Sequence, residues 1–227
     1  MTRRLRLQLL LIPVVLVPLA AGFFWLAGRA DWWAGWGYVG LLVVGQSALA
    51  LYLVWHDPEL LRRRARWGEG TPAWDRVCLS VFGLAYLGVL VVGALEARRG
   101  GEPSVPWWLW GVAGGLYGLS MVGLGWAMGH NTHFEKTVRW QQDRGHRVID
   151  TGPYAIVRHP GYGFVILGFV LTSPVLLRSW WGMIPAALGV AALVVRTVLE
   201  DRFLQVHLPG YAAYAARVRH RLLPGLW

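Results

Sequence analysis

The stretch WWLWGVAGGLYGLSMVGLGWAMG, residues 107–129, decides the fold. It carries no charged side chain and exceeds the roughly 20 apolar residues that a helix needs to cross a bilayer. Hydrocarbon offers no water to backbone N–H and C=O groups, so a segment of this kind must pair them internally as a helix. Trp107, Trp108 and Trp110 open it like an interfacial aromatic anchor, and its glycines let neighbouring helices come close. Similar runs lie on both sides. Upstream are residues 7–27, with Pro13 and Pro18 set to kink the helix, then 32–55 and 77–95. Downstream, 162–177 and 180–199 are joined by Arg178-Ser179 as a tight hairpin.

The expected fold is all-α: a polytopic transmembrane helical bundle of about six membrane segments, including a C-terminal helical hairpin, followed by a cytoplasmic tail. Composition agrees. Hydrophobic residues make up 56% and charged residues 15%, against about 25% charged in soluble proteins. Residues 1–227 read as a single integral-membrane domain, with four spans over 1–129 and, over 130–227, a C-terminal core that holds the polar segment, the last two apolar runs and the tail. The first run is too long and too interrupted by proline for a cleaved signal. Cys78 is the only cysteine, which excludes an intramolecular disulfide.

The net charge of +10 sets topology here rather than marking a nucleic-acid binder. Arg3, Arg4 and Arg6, the 62–76 loop, the 136–158 segment and the tail from Arg202 fall on one side of the six crossings. Arg29, Arg98, Arg99 and Arg178 fall on the other. The positive-inside rule then places both termini in the cytoplasm, and anionic lipid is the natural partner of the basic face.

The polar segment after residue 129 holds GHRVIDTGPYAIVRHPGY, residues 145–162. It collects His146, Arg147, Asp150, Tyr154, Arg158, His159 and Tyr162, and its prolines and glycines break any regular helix. Such a segment between spans is a candidate ligand-binding floor. His159, at the junction of loop and membrane, is read as a ligand contact. Beyond the last run stand Glu200 and Asp201, with Arg196 on the Glu200 face at i, i+4 spacing. Charges this close to hydrocarbon are costly and mark functional sites. His130 and His133 lack a third ligand at suitable spacing, so no metal is expected. No Rossmann, Walker or nucleophile-elbow motif appears.

The ordered set Gly152-Pro153-Tyr154, Val157-Arg158-His159-Pro160-x-Tyr162, Arg196-x3-Glu200-Asp201-x2-Leu204, Tyr211-x2-Tyr214 and Arg221-x2-Pro224 resembles the isoprenylcysteine carboxyl methyltransferase and phospholipid methyltransferase superfamily of integral-membrane enzymes. The likeness covers residues 120–227, and Asp57-Pro58-Glu59-Leu60 is similar to bacterial members, which implies a bacterial inner membrane. The resemblance implies S-adenosyl-L-methionine as methyl donor, bound in the 130–227 core without a Rossmann domain. It implies a donor pocket of His146, Arg147, Val148, Ile149, Tyr154, His159, Pro160, Gly161, Tyr162 and Asp201, with either Arg139 or Gln141 as a further contact. It aligns the family's substrate-side arginine with Arg196, the candidate cation to orient an acceptor carboxylate. An amine or thiol acceptor would have to lose a proton, for which Glu200 or His159 could serve as base, so Arg196 and Glu200 are the expected catalytic residues. The tail bearing Tyr211, Tyr214 and Arg217 is expected to close over the donor.

The expected reaction is methyl transfer to a lipophilic or small acceptor at the cytoplasmic side, with an isoprenylcysteine-type carboxylate first. Phospholipid amines or thiols are the alternative acceptors. An NADPH-dependent membrane reductase of the sterol type and a non-catalytic membrane binding protein are the alternative classes. Expected partners are the acceptor and membrane lipid, with no nucleic acid and no metal.

Overall fold

The computed structural model describes residues 18–64, 68–100 and 105–227. Most of the expected first span, with Pro13, Arg3, Arg4 and Arg6, lies outside the described residues, as does Arg66. Every regular element among the described residues is helical. They are α1 (Pro18–Ala27), α2 (Trp33–His56), α3 (Pro58–Arg64), α4 (Ala73–Arg98), α5 (Trp107–His130), α6 (Pro160–Leu176), α7 (Met183–His207) and α8 (Tyr211–Arg217), with short 3-10 turns at Gln142–Arg144 and Gly152–Ala155.

Four of them, α2, α4, α5 and α7, are long and apolar enough to cross a membrane. Large apolar side chains such as Val44, Leu84 and Val122 are exposed along these helices. An apolar surface of this extent suits lipid rather than water. The glycine-rich α5 is the most buried of the four. It packs against α2 and α6, while α4 and α7 pair along their length.

Two elements differ from the sequence reading. The run expected over 162–177 is helix α6, shorter than the long spans, with a π-helical turn at Ile166–Leu171. Pro174 has no N–H to continue the ladder, and the hydroxyls of Thr172 and Ser173 donate instead to the carbonyls of Gly168 and Phe169. Helix α7 runs well past residue 199, so Glu200 and Asp201 stand on the span's last turns rather than in the tail. It stops where Pro209 follows Leu208 and Gly210 takes φ 83°.

The ends of the helices sort into two groups. At one end, Glu96 accepts from the Ser179 hydroxyl, Trp110 Nε1 donates to the Leu176 carbonyl (2.9 Å) and the Arg178 guanidinium lies over Trp33. At the other end meet the start of α4, α3, the loop after α5, the start of α6 and the end of α7. Ion pairs Arg196–Asp75 and Arg158–Asp201 tie them together. The polar segment and the acidic pair therefore share one end of the bundle, as their charge pattern predicts.

Candidate active site

The local chain shape at that end follows from a few residues. Pro160 occupies the first turn of α6 directly after His159, a position where a missing N–H costs nothing. Gly152 takes φ 57°, and a side chain there would run into the His130 imidazole. Gly161 lies against the Phe134 ring with no room for a methyl group. These contacts press the 145–162 segment onto the loop that leaves α5.

Between them is a cavity of about 490 Å³, well within the size of small-molecule sites, which run to about 1,000 Å³. Its polar wall includes Asn131, His133, Tyr154, His159, Tyr162, Arg196 and Glu200. The Tyr162 hydroxyl donates to Glu200 Oε2. Arg196 lies over the Tyr162 ring, 5.0 Å from its centroid. Its Nε donates to Asp75 Oδ1 at 2.7 Å and its Nη2 to the Lys136 carbonyl at 2.9 Å. Asp75 is fully buried and also accepts the Val138 N–H at 2.9 Å. Arg196 is thus held by a neutralising partner.

The aromatic side of the cavity is equally built. Asn131 donates to the Tyr154 hydroxyl (3.2 Å), and burial raises the Tyr154 pKa above that of an ordinary phenol, so it stays protonated. His133 and His146 stack with centroids 4.5 Å apart. Burial first, then the neighbouring His133, pushes His146 down to about 4. Both rings are neutral at physiological pH, since burial lowers His133 as well. Both sequence candidates for the further contact, Arg139 and Gln141, line this cavity. Arg139 is clamped by Glu135 (2.8 Å) and Asp143 (2.9 Å), while Gln141 holds the His133 carbonyl at 2.9 Å.

Of the expected site residues, His146, Tyr154, His159, Gly161, Tyr162, Arg196 and Glu200 line the cavity. Arg147, Val148, Ile149, Pro160 and Asp201 do not. Val148 packs under Leu208, Tyr211 and Tyr214. Asp201 is buried and turned the other way. Arg158 grips it through two hydrogen bonds of 2.8 and 3.0 Å; Tyr211, Gln205 and Arg221 donate to it at 2.9, 3.2 and 3.2 Å. His159 Nε2 is 3.3 Å away. The tail does not roof the cavity. It braces the motif from behind: Tyr214 donates to the Tyr154 carbonyl (2.8 Å), and the backbone N–H groups of Arg158 and His159 reach His220 and Arg221.

Sequence reasoning missed Asp75, Asn131, His133, Glu135 and Arg64 as parts of this region. Asp75 carried a signal, an acid in the first turn of an apolar helix on the basic side. Spacing drew His133 only as half of an incomplete metal pair with His130, and the others sit in a polar loop or an arginine cluster where spacing singles out no residue.

A second, apolar cavity of about 380 Å³ lies beside the first. Gln46, Leu49, Leu53, Tyr86, Met128 and Phe169 line it. Arg64, Phe82, Leu124 and Val165 belong to both walls.

Comparison with known proteins locates the likeness in this half of the chain. Residues 119–206 match the model of the isoprenylcysteine carboxyl methyltransferase (ICMT) family. No curated protein matches the chain. The matched residues run from within α5 to the end of α7 and contain most of the polar cavity wall.

Proposed function

We propose that this chain, isoprenylcysteine carboxyl methyltransferase-like over residues 119–206, is an S-adenosylmethionine-dependent membrane methyltransferase that acts on a lipophilic acceptor, an isoprenylcysteine-type carboxylate first. One observation carries the reading: a polar cavity and an apolar cavity meet at a shared wall within a bundle whose long helices suit a bilayer. A water-soluble donor and a lipid-soluble acceptor need such a pair of chambers.

The polar residues fit the donor. Glu200 offers a carboxylate for a sulfonium or amino group, and Tyr162 orients that carboxylate through its hydroxyl. The neutral His133–His146 stack and Tyr154 offer flat faces for a purine. When bound, the donor supplies a methyl group on sulfonium: an acceptor carboxylate oxygen forms the new C–O bond, the S–CH₃ bond breaks with its electron pair left on sulfur as a neutral thioether, and no proton is lost. The residues therefore have mainly to align the two reactants in line and exclude water. Helices α4, α5 and α6 close the sides, and the tail holds Tyr154 and His159 in place from outside. By the positive-inside rule the polar end faces the cytoplasm.

Incubation of the protein in nanodiscs with methyl-labelled S-adenosylmethionine and membrane lipid extract tests this, with mass spectrometry of the lipid fraction as readout. A labelled methyl ester is expected. A labelled amine or thioether would move the acceptor class. Absence of any labelled product from a folded preparation would defeat the reading.

A further inference from the structure

The cation best placed to meet an acceptor is Arg64. It belongs to α3, outside residues 119–206, and it lines both cavities. Its neighbours among the arginines are neutralised. Arg196 pairs with Asp75, Arg139 with Glu135 and Asp143, Arg158 with Asp201, and Arg63 lies near Asp57, Glu59 and Glu135. Among the described residues, no carboxylate comes within ion-pair distance of Arg64. Its Nη1 donates to the Phe134 carbonyl at 3.1 Å, and its guanidinium lies 5.1 Å from the centre of the Phe134 ring. A backbone carbonyl and a ring face hold the group in position but leave its charge uncompensated. Burial lowers its pKa to about 10, and the nearby Arg196 charge adds to the effect. Glu200 and Glu135 share the cavity wall, but neither pairs with Arg64.

We propose that Arg64 is the anchor for the anionic head of the acceptor, which is a carboxylate-bearing amphiphile whose apolar chain occupies the chamber lined by Leu49, Leu53, Met128 and Phe169. This deepens the methyltransferase reading and rests on it for the identity of the second reactant. A planar guanidinium matches a carboxylate through paired N–H donors. Arg64 lines both chambers, so a carboxylate bound there would have its chain in the apolar space and a free oxygen edge toward the donor. The task that the resemblance implies for Arg196 falls to Arg64. Arg196, already engaged by Asp75 and the Lys136 carbonyl, positions Tyr162 instead.

The test is equilibrium binding to the full chain in phosphatidylcholine nanodiscs, read by tryptophan fluorescence. The probes are S-farnesylthioacetate, its methyl ester and farnesyl phosphate. S-adenosylmethionine is titrated separately by calorimetry into the same preparations. Arg64→Gln is expected to weaken the carboxylate probe about tenfold or more, the loss of charged hydrogen bonds, while ester and donor affinities stay within about twofold. Arg64→Lys, which keeps the charge but not the fork, is expected to fall between, and it serves if the glutamine variant does not fold. Equal carboxylate affinity in wild type and both variants would overturn the proposal. So would equal losses for acid and ester, or a loss confined to the donor. Tighter, Arg64-dependent binding of the phosphate would overturn the carboxylate assignment. Failure of the wild type to bind S-adenosylmethionine, with the carboxylate arm as expected, would defeat methyl transfer yet support the anion site.

Discussion

Asp201 and Glu200 are adjacent on one helix and do opposite work. Glu200 faces the cavity with Tyr162 as its donor, whereas Asp201 faces the tail and is saturated by Arg158, Tyr211, Gln205 and Arg221. A buried carboxylate that gathers two arginines holds structure together. Asp201→Asn leaves the Arg158 charge buried and unpaired, a change that costs about 3–5 kcal/mol. The expected outcome is a marked drop in thermal midpoint and faster proteolysis beyond Leu208. The Glu200→Gln variant should keep its wild-type melting behaviour. His146 gives a pH signature. Its folded pKa of about 4 lies below the ordinary value near 6.5, so the unfolded chain takes up a proton that the folded chain refuses. Stability is full above about pH 6.5 and declines as pH falls toward 4. Thermal melts at pH 7 and pH 5 should differ more for the wild type than for His146→Asn.

At the scale of elements, the glycines of α5 separate packing from spacing. A side chain at Gly123 would overlap the Phe164 ring of α6, while Gly111 has open space around it. Gly123→Ala forces Phe164 aside at a cost of about 1–3 kcal/mol; Gly111→Ala is expected to be neutral or to stabilise by up to about 1 kcal/mol. Melts of the two variants in detergent check the contrast. The helices were legible because hydrocarbon leaves an apolar run of that length little choice but to be helical. The end of α7 was not, because Glu200 and Asp201 look like a boundary in a hydropathy reading although helix propensity continues to His207. The π turn of α6 was hidden for the same reason: it depends on side-chain hydroxyls reaching back to carbonyls, not on composition.

On the scale of the whole molecule, the bundle has one end that is charged and cross-braced, and the apolar and polar cavities meet near it. His146, Tyr154, His159, Tyr162, Arg196 and Glu200 were legible from their order along the chain. Asp75 carried only the signal of an acid opening an apolar helix and Arg64 carried none, since each joins the site through folding, Asp75 by meeting Arg196 and Arg64 by meeting Phe134. The central claim is that the polar cavity binds a methyl donor. Isothermal titration of S-adenosylmethionine into the purified chain measures it directly. The expected dissociation constant for the wild type lies in the micromolar range, weakened about tenfold or more by Glu200→Gln with the loss of a charged partner. No heat of binding from a folded wild-type preparation, or stabilisation by NADPH in place of S-adenosylmethionine, would contradict it.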